Sequence, residues 1–75
     1  MLFCEIYPGV FSSTTDKIRY VIVNCSIAPK HKYASGTAFY LSVGKIDLMP
    51  IGNFWSLEDA KNAAQNVYKL IKELI

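Results

Sequence analysis

The last twenty residues, 56–75, carry the pattern that most constrains the fold of this chain. When each residue is rotated by about 100°, the apolar side chains fall on one half of the helical wheel and the polar ones on the other. Ser56 is a good N-cap, because its hydroxyl can accept a hydrogen bond from the free N–H groups of the first turn. The sequence therefore predicts a capped helix over 56–75, and its apolar half needs a sheet to lie on.

Length and composition limit what surrounds this helix. A chain of 75 residues makes one domain, spanning 1–75, near the lower size limit for a self-sufficient core. Its hydrophobic share of 52% is high for a short soluble chain, so apolar surface can exceed what one core hides. The net charge of +2 is lower than is usual for a dedicated nucleic-acid-binding domain.

The N-terminus and the cysteines indicate the compartment. Residues 1–5 have no basic region typical of a signal peptide, and no apolar run reaches the roughly 18 residues that span a bilayer. We therefore expect a cytoplasmic protein that does not enter membranes. In that compartment Cys4 and Cys25 are expected to be free thiols.

Four segments have the composition of strands. Residues 2–7, 17–27, 36–43 and 46–49 are rich in β-branched and aromatic side chains, and turn residues separate them. Residues 10–16 are Ser/Thr-rich and are expected to form a connection. The sequence thus predicts an α+β fold in the order β-β-β-β-α, with an antiparallel sheet of three to four strands packed on one C-terminal helix.

Two hairpins set the expected registers. In the first, Glu5 lies opposite Arg19, because opposite charges across a strand pair favour that alignment. In the second, a two-residue turn with glycine first follows Val43 and places it opposite Ile46.

The strand over 17–27 is apolar on both faces, which is typical of a strand buried on two sides. Ile18, Tyr20 and Ile22 point one way, and the helix can cover that side. The opposite side needs another cover, and segment 10–16, a second copy of the chain and a partner protein are all candidates. The residues expected to bind a partner on this sheet face are Arg19, Val21, Val23 and Tyr40.

A basic loop offers a second surface. Lys30, His31, Lys32 and Tyr33 follow one another, and such a cluster can grip a phosphate backbone or an acidic protein patch. The alternative is a solvated loop tip whose charges protect neighbouring strands from aggregation.

Motifs for catalysis and cofactors are not evident. His31 is the single histidine, and no acid lies near it in sequence, so neither a metal-ligand spacing nor a catalytic triad is recognisable. The four glycines form no phosphate-binding loop. We therefore expect a non-enzymatic protein with no metal and no cofactor.

Residues 49–64, MPIGNFWSLEDAKNAA, combine a short strand, a Gly-x-Phe step and a Ser-capped helix. This motif resembles the strand-to-helix step of the small N-terminal DNA-binding domains of phage-type tyrosine integrases, which are similar in shape to double-stranded-RNA-binding domains. The resemblance implies that the sheet face away from the helix enters the DNA major groove. The residues it would place against DNA are Arg19, Val21, Tyr40, Lys45 and Asp47.

These observations favour a small interaction protein that docks an apolar sheet face on a partner protein or on a second copy. Compact chains of this type are common among phage- and bacteria-encoded regulators and inhibitors. The alternative is a nucleic-acid-binding module that uses Arg19, Lys30, Lys32 and Lys45.

Overall fold

A computed structural model describes residues 1–74, and it shows one antiparallel sheet of five strands with a helix across one face. The strands lie in the sheet in their order along the chain. The predicted α+β class and the C-terminal helix are confirmed, but the sheet has five strands instead of three or four. The elements are β1 (Cys4–Tyr7), β2 (Val10–Thr15), β3 (Ile18–Asn24), β4 (Phe39–Gly44), β5 (Met49–Phe54) and α1 (Leu57–Leu74).

The additional strand is β2, which occupies most of the segment predicted to be a connection. A tight turn containing Gly9, whose φ of 80° suits glycine, reverses the chain after β1. A second two-residue turn joins β2 to β3, and Asp16 and Lys17 both have positive φ there, at 53° and 67°. Two positive φ values in succession define the turn whose twist matches an antiparallel hairpin.

The insertion of β2 changes the first register. Strand β1 pairs with β2, so the expected pairing of Glu5 with Arg19 is wrong. Glu5 instead accepts a hydrogen bond from the backbone N–H of Gly9 at 2.9 Å, and Arg19 donates to the hydroxyl of Ser12 at 3.4 Å.

The β4–β5 hairpin is also longer than expected. Val43 pairs with Met49, so residues 45–48 form the connection and the predicted pairing of Val43 with Ile46 is wrong. Pro50 lies inside β5, whereas the predicted fourth strand covered only residues 46–49. An edge strand tolerates proline, because its missing N–H need not be one that the ladder uses.

Helix α1 begins as its capping signal predicts. The backbone N–H of Asp59 donates to the Ser56 hydroxyl at 3.1 Å. The small side chains of Ala60 and Ala64 are fully buried against the sheet, which allows close approach of the helix. Towards its end the helix leaves the sheet, and Leu74 is 87% exposed although the wheel places it on the apolar half. The predicted last residue, at position 75, lies outside the described residues.

The core between helix and sheet contains the side chains predicted for it. Ile18, Tyr20 and Ile22 all point from β3 towards α1 and are buried there with Leu41 and Val43 of β4. Cys4 and Cys25 are both free thiols, as predicted.

Candidate binding site

The sheet face opposite the helix, which we call the outer face, has its own small core. Val10, Val21, Val23 and Cys25 form a buried cluster on it. Side chains from residues 25–38, which connect β3 to β4, pack over this cluster. These residues are called the covering loop.

The covering loop is an ordered segment with internal hydrogen bonds. The backbone N–H of Ala28 donates to the carbonyl of Asn24 at 2.9 Å, and that of Ala34 donates to the carbonyl of His31 at 2.9 Å. The N–H of Cys25 donates to the carbonyl of Ala38 at 2.8 Å, which joins the two ends of the loop. A loop closed in this way can act as a fixed lid on the sheet.

This arrangement corrects the expectation of an uncovered sheet face. Val21 and Val23 are 0% exposed, so neither can contact a partner in this fold. The cover is neither segment 10–16 nor a second chain, since the loop of the same chain supplies it. Arg19 and Tyr40, the other two residues predicted for this face, keep exposed surface.

The predicted basic cluster lies on the covering loop. Lys30 and Lys32 are exposed, whereas His31 and Tyr33 are half-buried. The Lys32 Nζ atom lies 5.0 Å from the centroid of the Tyr33 ring, within cation–π range. The His31 ring lies 5.8 Å from the same ring, and its Nδ1 accepts a hydrogen bond from the N–H of Tyr33 at 3.1 Å. Tyr33 therefore interacts with both Lys32 and His31.

A cleft of about 300 Å³ opens where the covering loop meets β4 and β5. It joins residues that the sequence placed in two separate sites, because Lys32 and Tyr33 of the basic loop meet Tyr40 of the sheet face. We call it the tyrosine cleft. Its lining residues are Lys32, Tyr33, Ala34, Ser35, Tyr40, Ser42, Leu48 and Pro50.

The lining is mixed in character. Ala34, Leu48 and Pro50 give apolar walls. Ser42 is 2% exposed, and none of the side-chain hydrogen bonds within residues 1–74 involves its hydroxyl. The hydroxyl of this cleft-lining residue can therefore donate a hydrogen bond to a ligand group or accept one from it.

Charge is distributed unevenly around the cleft. The cross-strand pairs place Arg19 on the outer face, opposite Gly44, and the covering loop adds Lys30 and Lys32. Neither the outer-face positions of the strands nor the loop contains an Asp or Glu. The acids lie in turns, on the helix-side face of β1 and in α1, at Glu5, Asp16, Asp47, Glu58, Asp59 and Glu73.

Within residues 1–74, no group of three or more His, Cys, Asp or Glu side chains is placed to hold a metal ion. In the same range no helix has the length and apolar character needed to cross a membrane.

Five of the eight lining residues were missed by sequence reasoning: Ala34, Ser35, Ser42, Leu48 and Pro50. Ser42, Leu48 and Pro50 come together through the β4–β5 register and the fold of the covering loop. The expected turn after Val43 concealed this arrangement, and no local motif marks it.

No protein-family model matches this sequence, and no curated protein or solved structure is detectably similar to it. The structure has a strand followed by a capped helix where residues 49–64 predicted one. Many unrelated α+β domains share that step, so the resemblance to integrase DNA-binding domains stays a prediction.

Proposed function

We propose that this chain is a small non-enzymatic interaction protein that binds an acidic segment of a protein partner at the tyrosine cleft. The observation that carries the proposal is the charge on the outer face, to which the strands and the covering loop contribute Arg19, Lys30 and Lys32 and no acid. Complementary charge steers a partner and orients it on the surface.

The cleft adds an apolar contribution to this attraction. Tyr33 and Tyr40 are aromatic, and aromatic side chains supply much of the contact energy at protein interfaces. A partner segment that combines a carboxylate with an apolar or aromatic side chain therefore matches both the basic rim and the lining.

Nucleic-acid binding is the second candidate, and one observation favours it. Arg19 lies opposite Gly44, so Lys45 follows at the same end of the sheet. Together with Lys30 and Lys32 these residues supply four positive charges for phosphate contacts, with the remaining surface of the cleft available for stacking.

Fluorescence anisotropy separates the two candidates. The probes are a labelled Glu-rich peptide containing leucine and tyrosine, and a labelled single-stranded DNA of similar length, each measured at low and high salt. We expect the peptide to bind more tightly than the DNA and with a shallower salt dependence, because salt screens its charged contacts but not its contacts with the apolar lining. Tighter binding of DNA, with a slope set by several phosphate contacts, would reject the acidic-peptide proposal in favour of the second candidate.

A matched pair of charge reversals locates the site. Lys32→Glu reverses the charge at the rim of the cleft. Lys69→Glu makes the same change in net charge on the exposed side of α1. We expect only Lys32→Glu to weaken peptide binding, by about tenfold, the size of a charge-assisted contact. Equal losses in both variants would indicate a general charge effect and no site at the cleft.

A further inference from the structure

Trp55, the single tryptophan of the chain, is 86% exposed. It lies between the end of β5 and the start of α1, and both neighbouring apolar residues, Phe54 and Leu57, are half-buried in the core. The backbone on either side is therefore held, and the indole projects from a fixed position. Tryptophan is enriched among the residues that dominate binding energy at protein interfaces.

Two acids follow Trp55 in the chain. Glu58 and Asp59 lie in the first turn of α1, and both are exposed. No basic residue lies between Trp55 and Asp59. Residues 55–59 thus present a large aromatic side chain beside two carboxylates.

The tyrosine cleft complements this segment in size and chemistry. A volume of about 300 Å³ is at the small end of ligand sites, which suits one inserted side chain better than a cofactor. Tyr33 and Tyr40 can pack against an indole ring, and the Ser42 hydroxyl in the cleft lining can accept a hydrogen bond from the indole N–H, which usually finds a partner when buried. Lys32, at the rim, can attract a carboxylate.

We infer that the acidic segment bound at the tyrosine cleft is residues 55–59 of a second copy of this chain, with Trp55 as the inserted side chain. The inference rests on the proposed function, because it names the partner of the same cleft. The cleft and the segment are different surfaces, so a reciprocal exchange closes a dimer with two identical contacts.

The single tryptophan makes the test direct. Fluorescence emission and molar mass by light scattering are measured on the full chain over a wide dilution series. We expect the emission to move to shorter wavelength and the mass to rise from monomer to dimer as concentration increases. Trp55→Ala should remain monomeric, and it should still fold because the side chain has few internal contacts.

A second variant pair tests the cleft. Ser35 lines the cleft and is exposed, so Ser35→Phe narrows it, whereas Thr37→Phe adds the same ring at an exposed position outside it. We expect Ser35→Phe to weaken association at least tenfold and Thr37→Phe to leave it unchanged.

Three outcomes would overturn the inference. Emission and mass that stay constant up to the highest concentration exclude the second copy. Association that survives Trp55→Ala places the contact elsewhere, and equal effects of Ser35→Phe and Thr37→Phe exclude the cleft. In each case the labelled acidic peptide separates failure of this inference from failure of the proposed function. If the peptide binds and Lys32→Glu weakens its binding, the proposed function stands with another partner. If the peptide does not bind, the proposed function and the inference both fail.

Discussion

The side-chain amide of Asn53 donates a hydrogen bond to the carbonyl oxygen of Ser35, with an N···O distance of 2.9 Å. The same amide reaches the carbonyl of Thr37 at 2.7 Å. The Ser35 carbonyl also accepts a weak bond from the Cys25 thiol at 3.6 Å. Gly36, which lies between Ser35 and Thr37, has a φ of 72°, and a Cβ there would lie 2.7 Å from the Asn53 Oδ1 atom. Asn53 thus fixes the end of the covering loop to β5, and with it one wall of the cleft.

The first prediction concerns the two hydrogen bonds from the Asn53 amide to the covering loop, which we call the clamp. Asn53→Ala removes two hydrogen bonds, and we expect the free energy of unfolding to fall by about 1–3 kcal/mol, since each such bond contributes about 0.5–1.5 kcal/mol net. Urea denaturation measures the change. Asn66→Ala, on the exposed side of α1, serves as control and should not destabilise, because alanine has the higher helix propensity. A similar loss in both variants would mean that the clamp contributes nothing of its own.

A second prediction compares two positions on the outer face. Val21→Asp buries a carboxylate beneath the covering loop, and we expect it to unfold the chain. Thr14→Asp introduces the same charge at an exposed position of the same face and should leave the circular dichroism spectrum unchanged. A folded Val21→Asp protein that has lost only the ability to associate would restore the earlier interpretation of Val21 as an interface residue.

Tyr20 provides a pH-dependent prediction. Its hydroxyl is buried without a hydrogen-bond partner within residues 1–74, and burial, with smaller contributions from Tyr68 and Asp16, raises its pKa above the ordinary value of 10.0. The folded state therefore holds this proton more tightly than the unfolded state. The resulting stability is fully present below about pH 10 and is lost as pH rises through the folded pKa.

Tyr20→Phe removes that ionisation together with the unsatisfied hydroxyl. We expect the variant to be at least as stable as the parent near neutral pH, because the desolvation cost of the hydroxyl, about 1–3 kcal/mol, is relieved. Above pH 10 its free energy of unfolding should fall less steeply than that of the parent. Urea titrations at several alkaline pH values measure this. If the free energy of unfolding falls equally steeply in the parent and the variant, ionisation of Tyr20 does not contribute to the loss of stability.

The turn between β2 and β3 gives a stabilising prediction. Lys17 has a φ of 67°, a conformation that costs a residue with a Cβ about 1–2 kcal/mol. Lys17→Gly relieves this cost and should raise the free energy of unfolding by about 0.5–1 kcal/mol, the gain being reduced by the greater chain entropy of glycine. Lys17→Ala removes the same charge but keeps the Cβ, so it should show no such gain. Equal changes in the free energy of unfolding of the two variants would show that loss of the lysine charge, and not relief of backbone strain, causes the stabilisation.

The parts of the fold predicted correctly depend on local patterns. The helix period and the Ser56 cap lie within one segment, and the alternation of Ile18, Tyr20 and Ile22 lies within one strand. Strand β2 was missed because its hairpin turn uses Asp16 and Lys17 instead of the Asn-Gly or Asp-Gly pairs that usually mark such turns.

The binding site was predicted only in pieces. Lys32, Tyr33 and Tyr40 were each singled out, but on two separate surfaces. Their meeting depends on the fold of a fourteen-residue loop over the sheet, which no local periodicity encodes. The apolar side of β3 likewise indicated that something must cover it, without showing that the cover comes from the same chain.

Thiol reactivity tests the central claim, that the covering loop closes the outer face and builds the cleft. Cys4 is exposed and Cys25 is 8% exposed, so each native molecule contains one control thiol and one that the loop protects. We predict that an aromatic disulfide reagent modifies Cys4 at the rate of a free thiol and Cys25 much more slowly, and that Asn53→Ala accelerates only Cys25. Equal, rapid modification of both thiols in the folded protein would contradict the account.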